Sequence, residues 1–302
     1  MKTILDHNLS QFPESAFDLF FKGRYHQLSG DIDGAVEHFK KSINVQSELK
    51  QLHNVANWDL LWCYALRCDW RRAADLAANL RDTCRWSPAT NAYQYACFLQ
   101  MIMDTEGRSD ELQTQVDQAM AAVEPLRTRY GGKTLPPEKF AITMAQRYCE
   151  GDQIALPALM LFYIWNIFGH CRENPHLMEP LLNLINKKLS NDHIDGDQHY
   201  SLMLLKGVCL RNYRHTDQAI MCFKAILKDE KLIEKETHIV PHATVELGLT
   251  LLDIGNLDDA KLWLEKARDN YNGFLIETAV HLRIHGALQK VRRLRRPLNN
   301  NK

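Results

Sequence analysis

The sequence carries no excess of charge of either sign, since Lys plus Arg and Asp plus Glu are 37 each over 302 residues. A neutral balance gives no global field that would draw the chain to nucleic acid or anionic lipid, so an electrostatic partner has to use a local patch. A leader is not expected either. The first residues, MKTILDHNLSQFPESAF, hold no apolar run of signal-peptide length and no small-residue cleavage site, which points to an intracellular protein. The eight cysteines then belong in a reducing compartment, and none forms a Cys-x-x-Cys pair of the zinc or redox kind. They read as small hydrophobes in helix seams. The most apolar stretch, Ile154 to Gly169, reads IALPALMLFYIWNIFG. It stops short of the ~20 residues a membrane helix needs, so a buried central helix is expected. No period-two run of strand length bounded by turn residues appears, and sheet is not expected.

What the chain does have is a recurring helical grammar. Gly23 to Ser42, GRYHQLSGDIDGAVEHFKKS, offers a small residue for close helix contact, a turn glycine at Gly30, and an Ala-x-x-x-Phe pair at Ala35 and Phe39. Gly207 precedes Ala219 and Phe223 at the same distances, and Gly248, Gly255, Ala260 and Leu264 repeat the pattern again. The expected fold is all-α, a right-handed superhelical array of helix-turn-helix hairpins of the tetratricopeptide type that presents a concave surface. Gly23, Gly207 and Gly248 should sit where the two helices of a hairpin cross.

Read in order, Ser15 and Asp18 make a capping box, after which Phe17, Phe20 and Phe21 open the array with no polar helix before them. Asp69 and Ala73 match Asp31 and Ala35 in a second hairpin whose first helix, WDLLWCYAL, is apolar nearly all round. A third pair runs 89–105 and 110–130. The glycines and prolines between Tyr130 and Pro137 place a boundary there. Lys133-Thr134 after Gly132 is no phosphate loop, because Arg127 stands where its first glycine belongs. The organisation read this way is 1–130 N-terminal repeats, 131–152 connection, 153–195 central buried helix pair, 196–296 C-terminal repeats with a capping helix, and 297–302 tail. Asn191 to Asp197 reads as a polar loop, and the excess between the last two repeats falls in Lys228 to His242.

Candidate chemistry is sparse. Glu277, His281 and His285 share one helix face, but Arg283 stands where a zinc-protease glutamate would, and no fourth ligand is apparent; no metal and no cofactor are expected. Cys97, Cys149, Cys171 and Cys209 sit in apolar company without a nucleophile pattern, so an enzyme is not expected. The lysine and asparagine clamp by which some arrays of this type hold acidic peptide tails is replaced by Phe20 and Arg24 in the first repeat and Trp58 and Trp62 in the second. These four are the candidate partner-binding groove, aromatic and apolar, suited to a helix or extended segment of a protein partner. Both tryptophans also read as inter-repeat core, the reading that the all-round apolarity of WDLLWCYAL favours. Between Thr278 and Lys302 there are seven Lys or Arg and no Asp or Glu, with Arg292, Arg293, Arg295 and Arg296 as a basic surface. This is either a solvated end cap or a site for peripheral contact with an anionic membrane. Leu282, Ile284, Leu288, Val291 and Leu294 are expected to face the preceding repeat. Nucleic acid is not expected, because no aromatics interleave the basic run.

Taken together, GRYHQLSGDIDGAVEHFKKSI, Trp58-x-x-x-Trp62-Cys63-Tyr64, Arg85-Trp86-Ser87-Pro88-Ala89-Thr90, Gly132 to Ile142 and Tyr163-Ile164-Trp165-Asn166 resemble the tetratricopeptide repeat protein 39 family. The resemblance runs from about Phe17 to the last helix. It implies a non-enzymatic, all-helical scaffold, and a cytoplasmic place that extends to the outer mitochondrial membrane surface, where related fungal proteins are found. Family members carry a further N-terminal region, so Met1 is expected to begin a short form or a piece.

Overall fold

The computed structural model describes residues 2–129, 131–190, 194 and 196–295. Among them the chain is helical with no sheet, and it divides into two compact units, Met1–Leu181 and Leu182–Lys302. The first unit holds α1 (Lys2–Gln11), α2 (Ala16–Leu28), α3 (Ile32–Asn44), α4 (Lys50–Leu66), α5 (Trp70–Thr83), α6 (Pro88–Glu106), α7 (Asp110–Ala121), α8 (Pro136–Cys149) and α9 (Pro157–Ile164). After α10 (Met178–Leu189), which spans the division, the second unit holds α11 (Gly196–Asn212), α12 (Thr216–Lys228), α13 (Ile239–Asp253), α14 (Leu257–Asp269) and α15 (Glu277–Arg295). In each unit consecutive helices pair as hairpins, α2 with α3, α4 with α5 and α6 with α7, then α11 with α12 and α13 with α14. The all-α hairpin array is the fold expected.

Local signals explain the hairpins. Ser15 Oγ accepts the Asp18 amide and donates to its carboxylate at 2.6 Å, closing the start of α2. The second helices of three hairpins are capped alike, with Asp31 accepting from Gly34 at 2.9 Å, Asp69 from Arg72 at 3.2 Å and Asn256 from Asp259 at 3.3 Å. The residue before each of these three caps is left-handed: Gly30 (φ 73°) and Gly255 (φ 79°) take this at no steric cost, whereas Cys68 (φ 56°) takes it against its own, as does Arg214 (φ 66°) before His215, the uncapped start of α12.

The helix crossings are set by the repeat glycines. A β-carbon at Gly23 would stand 2.7 Å from the Phe39 ring, one at Gly207 2.5 Å from the Phe223 ring, and one at Gly248 2.8 Å from Leu264 Cγ. Phe39, Phe223 and Leu264 are all fully buried. Close approach thus buries a large apolar residue of the second helix against bare backbone of the first.

Two expectations change. The array does not open at Phe17, because α1 precedes it, burying Leu5 and pairing Asp6 with Lys22. Ile154 to Gly169 is buried but is not one helix. α9 stops after eight residues, Asn166 turns left-handed (φ 55°), and a 3-10 turn, Ile167–Cys171, follows. Of the polar loop, Asn191, Asp192, His193 and Asp195 lie outside the described residues, as does the tail from Arg296 on. The long connection after α12 is present where expected, with a 3-10 turn at Glu230–Leu232.

Candidate functional site

In the first unit the four groove candidates lie on α2 and α4, and the segment from α9 to Cys171 lies against them. Trp165 meets Trp58 edge-on at 5.1 Å, and Phe162 meets Trp62 at 5.7 Å and Phe168 at 5.6 Å. Trp58 and Trp62 are themselves 5.7 Å apart, and Phe98 of α6 completes the cluster 6.0 Å from Trp62. The segment is tied at both ends, by Gln100 donating to the Ile154 carbonyl at 2.9 Å and Asn174 donating to the Gly30 carbonyl at 3.2 Å. Trp62 is 1% exposed and Phe20 8%. Both rings are closed off from solvent, Trp62 by Phe98 and by Phe162 of the chain's own apolar segment, and Phe20 against Phe39. Trp58 and Arg24 are half-buried.

Arg24 is committed internally. Its Nη1 donates to Asp59 Oδ1 at 2.6 Å and to Gln27 Oε1 at 2.7 Å, and Gln27 Nε2 donates to the Asp59 carbonyl at 3.2 Å. Burial pushes the Asp59 carboxyl up to about 6, outweighing the attraction of Arg24. Burial, reinforced by Arg24, pulls the His170 imidazole down to about 4, so this ring is neutral at physiological pH. Burial also pushes the Cys63 thiol up to about 12 and raises Cys97 and Cys171, which removes thiolate character from all three.

In the second unit the basic helix α15 has two faces. Val280, Ile284, Ala287, Leu288 and Val291 are buried. Leu282 and Leu294, expected to pack inward with them, are 74% and 55% exposed; the angular position of Leu282 falls opposite that stripe, whereas Leu294 lies beside it on the last turn of the helix. Arg292 and Arg293 are exposed, Arg295 donates to Asp258 and at 3.1 Å to the Leu257 carbonyl, and Arg296 lies outside the described residues. Arg283 reaches inward to Glu246, a fully buried carboxylate that Arg211 also holds at 2.8 Å while donating to Asp253 at 2.9 Å. This network pins three successive first helices, α11, α13 and α15, and its two guanidinium groups bring Glu246 down to about 2 in spite of burial. Glu277 pairs with His281 at 3.4 Å and Gln289 meets His285 at 2.8 Å. No metal-holding group of His, Cys, Asp and Glu is found among the described residues, and no helix among them is long and apolar enough to cross a membrane.

Both units are thus hairpin arrays built on one glycine-and-cap grammar, and comparison with known proteins agrees. The family model described as Iml2/Tetratricopeptide repeat protein 39 matches residues 1–213. The chain belongs to this family. It is also 30% identical over 280 residues to the protein "Tetratricopeptide repeat protein ttc-39B" of Caenorhabditis elegans, a match that covers 92% of this chain and 48% of that protein. The chain therefore spans about half the length of that relative. For this member of the Iml2/tetratricopeptide repeat protein 39 family, both units are arrays of helix hairpins of the tetratricopeptide kind.

Proposed function

We propose that the chain is a protein-binding scaffold, whose partner-facing surfaces are helix faces other than the one filled by Pro157 to Cys171. The observation that carries this reading is large apolar side chains left in solvent on elements that are otherwise well packed. Phe12, Phe17 and Phe21 are 68%, 57% and 50% exposed beside α1 and α2, whose other faces bury Leu5, Leu19 and Phe20. Aromatic side chains of this kind dominate binding energy when a partner covers them. Family membership supports the same class of function, and the internal commitment of Arg24 and Trp62 moves the binding surface away from the groove that the repeat pattern suggests.

The test places a photo-crosslinking amino acid at Phe17, Phe21 or Leu282 in cells, with buried Leu264 as the control position. The scaffold reading expects a discrete protein adduct from at least one exposed position and none from the control. Adducts to lipid alone, or no adduct from any of the three, would overturn it.

A further inference from the structure

α15 occupies the place of a first helix. It packs on α14 and α13 as α13 packs on α12 and α11, and Gly286 is its tenth residue as Gly248 is the tenth of α13. In the complete hairpins this glycine is the notch into which the second helix sets Phe39, Phe223 or Leu264. At Gly286 nothing among the described residues lies within 4 Å of where a β-carbon would be. Glycine in a helix interior weakens it relative to alanine, and the fold offers no contact here that requires one. The stripe through the notch, Leu282, Gly286, Gln289 and Arg293, is exposed along its length, with Lys290 and Arg292 exposed on either side.

We infer that the Gly286 face of α15 receives a helix from a partner protein, one that sets a Phe or Leu in the notch and carries Asp or Glu around it. This rests on the scaffold reading and names one surface of it. The chemistry of the occupant follows from the charges. Between Thr278 and Arg295 the helix has no acidic residue. Arg283 and Arg295 are taken by Glu246 and Asp258, which leaves Lys290, Arg292 and Arg293 facing outward. A helix laid along the stripe meets these three, and acidic residues on it would be drawn to them while basic ones would be repelled. The hairpin already displays the pairing in small, since α14 meets Arg295 with Asp258. A second copy of the chain docking face to face would oppose the same cations to themselves, so a different protein fits better.

The experiment uses the full chain and a fluorescein-labelled helical peptide of alanine and glutamate with one central phenylalanine, read by anisotropy. A lysine-for-glutamate counterpart and phosphatidylserine vesicles serve as the other probes. The acidic peptide is expected to bind at low salt and to weaken as salt rises. Gly286→Gln is expected to weaken it at least tenfold by filling the notch, and the double change Arg292→Gln with Arg293→Gln by a similar factor, with the helical circular dichroism of both variants intact. Several results would overturn the inference: no binding of the acidic peptide, equal binding of the basic one, or unchanged binding by the Gly286→Gln chain. Vesicle binding without peptide binding would assign the face to lipid, and self-association abolished by Gly286→Gln would assign it to a second copy. A Leu282 protein adduct that survives all three substitutions would count against this surface, while protein adducts at Phe17 or Phe21 would keep the scaffold reading whatever happens here.

Discussion

Gly248 and Gly286 hold the same position on two successive first helices, so replacing each by alanine separates packing from propensity. Alanine is favoured over glycine in a helix interior by about 0.8–1.0 kcal/mol. At Gly286 the new methyl meets open space, and Gly286→Ala should raise stability by about that amount. At Gly248 the methyl would stand 2.8 Å from Leu264 Cγ and 3.2 Å from the Leu264 backbone nitrogen. The backbone of α14 cannot turn aside as a side-chain tip can, so the helix must shift, and overpacking of this kind costs about 1–3 kcal/mol. Offset by the propensity gain, Gly248→Ala should come out between roughly neutral and 2 kcal/mol destabilising. The two variants should thus be ordered with Gly286→Ala the more stable by about 1–3 kcal/mol. Both positions lie in the unit Leu182–Lys302, so one urea unfolding transition of that unit reports both, and the midpoints are comparable if the slope is unchanged. Equal stabilisation by both substitutions, or destabilisation by Gly286→Ala, would refute the reading of these glycines.

Trp62→Ala should destabilise the first unit by about 3–5 kcal/mol, visible as a large drop in its thermal midpoint; a groove residue would leave that midpoint unmoved. Glu246→Gln removes the anion between Arg211 and Arg283 and should cost about 3–5 kcal/mol in denaturant unfolding at neutral pH. Because the Glu246 pKa is depressed on folding from 4.5 to about 2, its contribution is present above the unfolded value and is lost as pH falls through that interval. His242, depressed from 6.5 to about 4 by burial, also weakens the unit as pH falls, but at higher pH, so the wild-type minus Gln difference between pH 4.5 and 2 isolates the carboxylate. Asp59 acts in the opposite direction, since a carboxyl raised on folding from 3.8 to about 6 costs the first unit stability as pH rises across that range. Arg214→Asn should raise the thermal midpoint slightly, by about 0.5 kcal/mol, because asparagine tolerates the left-handed turn position better than arginine.

Most of the fold was legible in the sequence because its determinants are local and repeat. The Gly–Phe and Gly–Leu spacings mark helix crossings, and Asp31, Asp69 and Asn256 mark the starts of second helices, each by a bond within three residues. The candidate site was less legible, since it depends on what lies over α4 from a distant part of the chain. WDLLWCYAL and IALPALMLFYIWNIFG are both apolar on every side, and two such stretches need cover that a row of hairpins does not supply. That shared need was the one signal from which Trp62 against Phe162 was open to inference. The break at Asn166 left no comparable trace, because a left-handed asparagine looks in sequence like any polar residue on a helix. The outward turn of Leu282 was readable from the helical angle alone, which places it opposite Ile284, Leu288 and Val291; the exposure of Leu294 was not, since its angle lies beside the stripe and its position on the last turn decides it. The reach of Arg283 to Glu246 was not, since it joins separate repeats.

A row of hairpins that touch only their neighbours can gain or lose a repeat and fold outward from any nucleus. The segment over Trp58 and Trp62 gives the first unit a different topology. Asn174 returns to Gly30 across 144 residues of chain, so the ends of the unit must meet before its aromatic cluster closes. Closure of so long a loop slows folding relative to a purely local array. Removing everything after Tyr130 would strip the cover from α4 while leaving three hairpins formally whole. The first unit should therefore fold and unfold as a single cooperative body, and a nascent chain that has emerged only as far as α7 would still expose the tryptophans of its second hairpin.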